Sequence, residues 1–240
     1  MKGVILAGGL GTRLYPLTKV TNKHLLPVFD KPMVFYPIST LVKASITDIM
    51  VVTGGPHCGD FLGVLKNGQE LGIKHLEYAY QEKEGGIADA LRLAENFADG
   101  GDLAVILGDN TTDFDISEDV SNFKDGALVF LKEVPDPERF GIPVFDGEKI
   151  TQILEKPKDP PNNFAVTGLY IYDNKVFDFI RKNKPSQRGE LEITDVNNHY
   201  AGEGKLGYRK IDGFWRDAGT FETLLEVNNF WAKKAEDERK

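Results

Sequence analysis

The sequence has 240 residues, with 29 Lys and Arg against 37 Asp and Glu, so its formal net charge is −8. The hydrophobic fraction of 41% is that of an ordinary globular protein and excludes disordered and fibrous classes. Because binding to nucleic-acid backbones needs a basic surface, the acidic balance argues against a nucleic-acid partner. The single cysteine, Cys58, cannot form an internal disulfide, which favours a reducing cytoplasm. The apolar stretch at residues 4–7 is too short for a signal peptide or a membrane span, so no membrane partner is expected.

Short β-branched runs alternate with helical patterns through the first half of the chain. Strands are predicted at residues 4–6, 49–53, 75–79 and 103–107. Helices are predicted between them at residues 33–44, 60–65 and 87–97. This alternation indicates an α/β protein with a Rossmann-like, mostly parallel central sheet flanked by helices.

The pattern changes after Gly126 and indicates a mixed, partly antiparallel lobe. Strands are predicted at residues 127–131, 142–145, 149–154 and 164–172, and helices at residues 175–182 and 194–201. Apolar residues at helical spacing predict a terminal helix within residues 221–240. No repeat or long linker interrupts the chain, so we expect a single domain over residues 1–240 with two halves, 1–125 and 126–220.

A glycine loop follows the first strand. It contains Gly8, Gly9 and Gly11, with Arg13 and Lys23 beyond it. A dinucleotide fingerprint would need glycine where Leu14 stands, and a Walker A loop would need a closing Gly-Lys-Thr/Ser triplet. The pattern therefore favours a phosphate cradle whose charge comes from the arginine and the lysine. The alternative is a tight strand-to-helix turn with two surface cations.

Two aspartates are candidates for a metal site. Asp109 follows the strand at residues 103–107, and ligands in open α/β sheets bind beyond the carboxyl ends of the strands. Mg²⁺ prefers one or two carboxylates together with phosphate oxygens and water, and Asp217 is the candidate second ligand. The alternative is that both aspartates are structural caps, although Thr220 is the more natural cap for the final helix.

Seven motifs along the chain carry a resemblance to a known family. They are Gly8–Thr18, Lys31–Pro37, Gly108–Asn110, Glu155–Pro157, Val166–Tyr170, Gly189–Asp195 and Trp215–Thr220. The glycine motif marks only the wider superfamily of sugar-nucleotide pyrophosphorylases. Together, the motifs resemble the glucose-1-phosphate thymidylyltransferases, in the short form without the extra C-terminal helices of the longer, feedback-regulated enzymes.

The resemblance implies a nucleotidyltransferase domain and roles for individual residues. Residues 1–125 would bind the nucleotide and residues 126–220 the sugar phosphate. The implied nucleotide-binding residues are Leu6, Gly8, Gly9, Gly11, Thr12, Arg13, Gln81 and Gly86. The implied sugar-phosphate-binding residues are Asp109, Asn110, Gly141, Glu155, Lys156, Val166 and Tyr170. The implied catalytic residues are Arg13, Lys23 and Lys156, and the implied Mg²⁺ ligands are Asp109 and Asp217.

The implied reaction joins dTTP to α-D-glucose 1-phosphate and releases dTDP-glucose and pyrophosphate, usually on the way to dTDP-rhamnose and related sugars. A sugar-phosphate oxygen is already anionic near neutral pH, so the attack needs positioning and charge neutralisation and no general base. Family members commonly form dimers or tetramers, and a homo-oligomer is therefore expected.

Two positions depart from the family pattern. His24 stands where the long form commonly has Gln, and Gly85 stands where it commonly has Asp beside the base-reading glycine. Gln81 carries an amide that can both donate and accept, which matches the imide edge of thymine and of uracil. Enzymes that use UTP or another sugar 1-phosphate therefore stay open as alternatives. A non-catalytic nucleotide sensor is a further alternative, against which the retention of both aspartates and both lysines argues.

Overall fold

The structure is a computed structural model that describes residues 1–239. The strands are β1 (Lys2–Ala7), β2 (Pro27–Val28), β3 (Lys31–Pro32), β4 (Asp48–Gly54), β5 (His75–Gln81), β6 (Leu103–Leu107), β7 (Asn110–Thr112), β8 (Ala127–Glu133), β9 (Gly141–Asp146), β10 (Lys149–Glu155), β11 (Phe164–Tyr172), β12 (Leu206–Lys210) and β13 (Trp215–Asp217). The α-helices are α1 (Phe35–Lys43), α2 (Cys58–Leu65), α3 (Ile87–Arg92), α4 (Glu95–Ala98), α5 (Ser117–Asn122), α6 (Val176–Lys182), α7 (Ile193–Gly202) and α8 (Phe221–Glu238).

One nine-stranded sheet runs through both halves of the chain. Its main order is β10-β9-β11-β6-β1-β4-β5, and β8 pairs with both β11 and β12. β1 pairs in parallel with β4 and with β6, and β4 pairs in parallel with β5. β11 is antiparallel to β6, which joins the parallel part to the mixed part. The α/β fold class predicted from the sequence is therefore confirmed, whereas the functional division at residue 125 stays a prediction.

Helices cover both faces of the parallel part, as the continuous apolar runs predict. Val4 and Leu6 of β1 point into a core formed with α3, α4, α6 and α7. Ile5 and Ala7 point into the opposite core, formed with α1 and α2. The alternation of side chains along a strand thus buries β1 on both faces and fixes its carboxyl end, where the glycine loop begins.

The predicted helix at residues 87–97 is two helices in the structure. α3 ends at Arg92 and α4 begins at Glu95. Between them, the amides of Leu93 and Ala94 donate to carbonyls only three residues back, those of Ala90 and Leu91, so the α-helical pattern is interrupted. Helical spacing of apolar residues continues across this break, so the pattern alone did not reveal it.

The final helix and two small sheets complete the fold. Thr220 caps α8 in a capping box with Thr223, as the sequence predicted for this threonine. α8 packs on a separate apolar cluster that includes Leu14 and Val28. β2 pairs with β3, and β7 pairs with β13, which brings Asp217 beside Asn110. The sequence did not predict β7 or β13, because three-residue strands have no measurable periodicity.

Candidate active site

The candidate site is a cleft at the carboxyl ends of the parallel strands. It consists of two adjoining cavities, the first of about 350 Å³ and the second of about 290 Å³. Both are lined by Arg13, Ile87, Leu107 and Asp109, so they meet at these residues and form one cleft. The cleft can therefore hold two ligands side by side, with an arginine and an aspartate between them.

The first cavity, which we call the nucleotide-side cavity, is lined by most of the predicted nucleotide-binding residues. Of these residues it contains Leu6, Gly8, Gly9, Arg13, Gln81 and Gly86, and it also contains Lys23. Gly11 and Thr12 are not among its lining residues, and Thr12 lines a separate cavity on the outer side of the loop. The structure thus gathers most of the predicted loop residues and leaves these two outside the cavity wall.

Gly11 has a steric reason to be glycine. Its φ of 68° lies in the left-handed region, and a Cβ there would stand 2.8 Å from the Cβ of Lys23. Any other residue would be strained and would push away the chain that carries this lysine. Gly11 therefore allows the loop and Lys23 to approach each other.

Gln81 ends β5 and turns its amide towards the glycine loop. Its Nε2 donates to Asp89 Oδ2 at 2.9 Å and to the Gly86 carbonyl at 3.3 Å. Its Oε1 lies near Gly8, where a Cβ would stand 2.6 Å from it. Only the oxygen of the amide is therefore directed at the cavity, whereas the sequence suggested that both ends were available.

Lys23 and Asp109 form a short ion pair in the wall of the nucleotide-side cavity. Lys23 Nζ lies 2.5 Å from Asp109 Oδ2, and both side chains are largely buried. Burial alone would raise the pKa of Asp109, but the charge and the hydrogen bond of Lys23 outweigh it and hold the pKa well below its usual range. Asp109 is therefore a carboxylate near neutral pH.

Asp217 is brought to the cleft by the pairing of β13 with β7. The Ala218 amide donates to the Asp109 carbonyl at 2.8 Å, which ties the two aspartate backbones together. Asp217 Oδ2 accepts from Arg139 Nη2 at 3.0 Å, and Asp217 Oδ1 is buried with no hydrogen-bond partner. Burial and then the charge of Asp109 raise the pKa of Asp217, although nearby arginines oppose the shift.

This arrangement fits a divalent cation. Two buried carboxylates whose charges repel, one of them with an unpaired oxygen, would be stabilised by a positive ion between them. Among residues 1–239, no group of three or more His, Cys, Asp or Glu side chains could hold a metal. Two carboxylates are nevertheless what Mg²⁺ takes from a protein when substrate phosphates and water supply its other ligands. The residues present therefore fit the predicted ion.

Asn110 supports Asp109 from behind. Its Nδ2 donates to Asp109 Oδ1 at 3.0 Å, and its Oδ1 accepts from the Gly168 amide and from Trp215 Nε1. These bonds occupy both ends of the amide. Asn110 lines the second cavity, but its polar atoms orient the aspartate and fasten β11 and β13 to it.

The second cavity, which we call the sugar-side cavity, collects every predicted sugar-phosphate-binding residue. Besides Asp109 and Asn110 it is lined by Gly141, Glu155, Lys156, Val166 and Tyr170. The pairing of β11 with β8 is irregular between Val166 and Tyr170, which leaves that stretch of β11 free to face the cavity.

Glu155 and Lys156 lie together at the mouth of the sugar-side cavity. Lys156 Nζ lies 3.2 Å from Glu155 Oε1, and Thr194 Oγ1 donates to Glu155 Oε2 at 2.5 Å. Lys156 has a φ of 45°, which is uncommon outside glycine and turns the chain sharply at the end of β10. A carboxylate and an ammonium group therefore face the same cavity on adjacent residues.

Two arginines at this end of the cleft were not predicted from the sequence. Arg139 lines the sugar-side cavity and bonds to Asp217, and Arg188 Nη2 lies 3.0 Å from Glu155 Oε1. Arg139 ends a proline-containing turn two residues before Gly141, and Arg188 stands directly before the predicted motif at Gly189. Adjacency to a predicted motif was the available signal for Arg188, whereas Arg139 had no such signal.

His24, the first departure from the family pattern, is buried against the cleft. Its Nδ1 donates to Asn22 Oδ1 at 2.7 Å, and its ring lies beside Gly108. Burial, then the charge of Lys23, lowers the pKa of His24 from 6.5 to about 3. The imidazole is therefore neutral near pH 7 and behaves as an uncharged polar side chain.

The buried His24 should make stability depend on pH. Because its pKa falls from 6.5 to about 3 on folding, the unfolded chain binds this proton more readily. The contribution to stability is complete above pH 6.5 and is lost by about 1.4 kcal/mol per pH unit as the pH falls towards 3. We expect His24→Gln, which cannot titrate, to lose about 2 kcal/mol less unfolding free energy than the parent protein between pH 7 and pH 5. Urea unfolding at both pH values measures this difference, and equal losses would contradict it.

No helix in the described part of the chain is both long and apolar enough to cross a membrane.

Known proteins resemble this chain over most of its length. A family model described as nucleotidyl transferase matches residues 2–234. The glucose-1-phosphate thymidylyltransferase of Neisseria gonorrhoeae is 44% identical over 237 residues, which cover 96% of this chain and 82% of that protein. The protein of the same name from Mycobacterium tuberculosis strain H37Rv is 40% identical over 240 residues, with the same two coverages of 96% and 82%.

Solved structures share the fold over nearly the whole chain. A Bacillus anthracis protein assigned as a glucose-1-phosphate thymidylyltransferase, in complex with sucrose, superposes with a TM-score of 0.91 at 52% identity and covers 96% of this chain and 94% of its own. A UDP-glucose pyrophosphorylase in complex with UDP-glucose superposes with a TM-score of 0.82 at 24% identity, covers 97% of this chain and 98% of its own, and shows the fold alone. The chain therefore belongs to the nucleotidyl transferase family, and within it to the glucose-1-phosphate thymidylyltransferases.

Proposed function

We propose that this protein forms dTDP-glucose and pyrophosphate from dTTP and α-D-glucose 1-phosphate. The observation that carries the proposal is the single cleft with two cavities, each of which presents cations suited to a phosphate. Lys23 and Arg13 line the nucleotide-side cavity, and Lys156 lines the sugar-side cavity. The relatives that carry the name of this activity support the choice of substrates.

The proposed reaction is an in-line displacement at the α-phosphorus. A sugar-phosphate oxygen attacks the phosphorus, the P–O bond to the β-phosphate breaks, and pyrophosphate takes the bonding electron pair. The nucleophile is already ionised, so the protein needs to align the two substrates and neutralise charge. Lys156 would hold the sugar phosphate, Arg13 and Lys23 would offset the charge on the departing pyrophosphate, and Glu155 would accept from sugar hydroxyls.

Asp109 and Asp217 are the residues that would hold Mg²⁺. When bound, the ion would supply positive charge to the phosphate oxygens during the displacement. Arg139 donates to Asp217 and would hold this carboxylate in place beside the bound substrate. Its place beside the sugar-side cavity supports this role.

The direct test is pyrophosphate release. The protein is incubated with glucose 1-phosphate, Mg²⁺ and each nucleoside triphosphate in turn, and we expect turnover with dTTP and UTP, and poor turnover with ATP, GTP and CTP. Binding of dTTP without turnover would instead support a nucleotide sensor. Equal turnover of ATP and dTTP would overturn the thymidylyl assignment.

Gln81→Leu should lower turnover with dTTP and with UTP together. The variant removes the amide oxygen that would accept from the imide N–H of either base, and leaves that N–H unpaired at a cost of about 1–3 kcal/mol, or roughly 5- to 150-fold in kcat/KM. The gap to CTP should narrow, because cytosine has no ring N–H at this position. Steady-state kinetics with the three nucleotides measures both effects, and an unchanged ratio of UTP to CTP would place the base elsewhere.

Further expectations from the sequence go with this proposal. They are a Mg²⁺ requirement, a cytoplasmic location, a homo-oligomer and a supply of dTDP-glucose to deoxysugar synthesis. Chelation of the ion and size-exclusion chromatography test the first and the third.

A further inference from the structure

Asp89 holds the Gln81 amide from the first turn of α3. Gln81 is only 9% exposed, and the Asp89 side chain is 20% exposed. Asp89 Oδ2 accepts from Gln81 Nε2 at 2.9 Å, while Asp89 Oδ1 accepts from Arg92 Nη2 at 2.9 Å. Arg92 thus holds one oxygen of the Asp89 carboxylate, and the other oxygen holds the Gln81 amide.

This contact decides which end of the amide faces the nucleotide-side cavity. A carboxylate and a carbonyl can only accept, so the group that Asp89 and the Gly86 carbonyl hold must be the nitrogen. The oxygen then lies on the opposite side, towards Gly8. Rotation of the amide by 180° would bring oxygen against oxygen at both contacts, which the geometry opposes.

Gly85, the second departure from the family pattern, makes room for the carboxylate. A Cβ at position 85 would stand 2.5 Å from Asp89 Oδ2 and 2.7 Å from its Cγ. A side chain at this position would therefore displace the Asp89 carboxylate from Gln81. The position of the Asp89 carboxylate therefore depends on the absence of a side chain at residue 85.

We propose that Asp89 is a positioning residue that sets base preference by fixing Gln81 as a hydrogen-bond acceptor. A base with an N–H between two carbonyls, as in uracil and thymine, can donate to the fixed oxygen. Cytosine presents a lone pair at the same ring position and would meet a second acceptor. The inference rests on the proposed function, because it requires Gln81 to face the base.

The test is calorimetric binding of dTTP, UTP and CTP to the whole protein. We expect the parent protein to bind UTP more tightly than CTP by about 5- to 150-fold. Asn at position 89 can donate as well as accept, so Asp89→Asn weakens the shorter of the two contacts that hold the amide nitrogen and should shrink the ratio of UTP to CTP affinities towards one. Gly85→Ala should shrink the ratio in the same direction by displacing the carboxylate.

Glu82→Gln is the matched control, since it removes an exposed carboxylate from the same loop and should leave the ratio unchanged. A loss of affinity for all three nucleotides in equal proportion, or an unchanged ratio in both variants with native circular dichroism, would overturn the inference. Binding is read without turnover. An absence of pyrophosphate release with glucose 1-phosphate would therefore overturn the proposed function, and the binding ratio would still decide the role of Asp89.

Discussion

Asp217→Asn is expected to lower the turnover number by about two to three orders of magnitude, since it removes one of the two carboxylates that would hold the metal. The fold should survive, because the backbone pairing of β13 with β7 does not need the charge. Burial raises the pKa of Asp217, so its ionised form is unfavourable in the folded protein and its replacement by an amide costs little stability. Pyrophosphate release over a Mg²⁺ titration measures the activity, and thermal unfolding measures the stability.

Asp109→Asn supplies a contrast. It should reduce turnover in the same way, but it also leaves Lys23 buried without its partner, at a cost of about 3–5 kcal/mol in unfolding free energy. Asp146→Asn, at the exposed end of β9, is the control for the loss of one charge. Full activity of Asp217→Asn with an unchanged Mg²⁺ dependence would remove this residue from the metal site.

Lys156→Ala is expected to raise the KM for glucose 1-phosphate by about ten- to a hundredfold, because a hydrogen bond to a charged phosphate contributes about 1.5–3 kcal/mol. The KM for dTTP should change far less, since Lys156 lines the sugar-side cavity and does not line the nucleotide-side cavity. Lys23→Ala should show the opposite pattern. Initial rates with each substrate varied at a saturating level of the other measure the two constants.

The neighbouring Lys158 is exposed and lies outside both cavities, so Lys158→Ala controls for a lost surface charge. If Lys156→Ala weakened dTTP and left the sugar phosphate unaffected, the division of the cleft between the two substrates would be wrong.

Periodicity predicted the parallel sheet because its strands are buried on both faces and appear as apolar runs. The position of Asp109 at the edge of the sheet could be predicted in the same way, because this residue stands two positions after such a run. Asp217 could be named only as a candidate metal ligand, because its position depends on the three-residue strand β13, whose partner β7 lies about 100 residues earlier in the chain. Arg139 was missed for a related reason, since its role comes from contact with Asp217 and not from its neighbours in sequence.

The acceptor role of Gln81 was also beyond sequence reasoning. An amide offers both a donor and an acceptor, and the contact with Asp89 decides which of them faces the cavity. The sequence predicts a helix that contains Asp89, but it does not predict the hydrogen bond between Asp89 and Gln81. The two departures at positions 24 and 85 were visible in the sequence. Their structural roles could be recognised only in the folded protein, where the His24 ring is buried and Gly85 leaves room for the Asp89 carboxylate.

The pairing of β7 with β13 has a consequence for synthesis on the ribosome. The bond from Trp215 to Asn110 spans 105 residues, and the adjacent pairing sets Asp217 opposite Asn110, the residue after Asp109. A nascent chain can complete the four parallel strands long before residue 217 emerges, because β1, β4, β5 and β6 all lie in the first 107 residues. At about 5–20 residues per second, several seconds separate the two events. The glycine loop is therefore assembled early, and the pair of carboxylates is completed only after residue 217 has emerged.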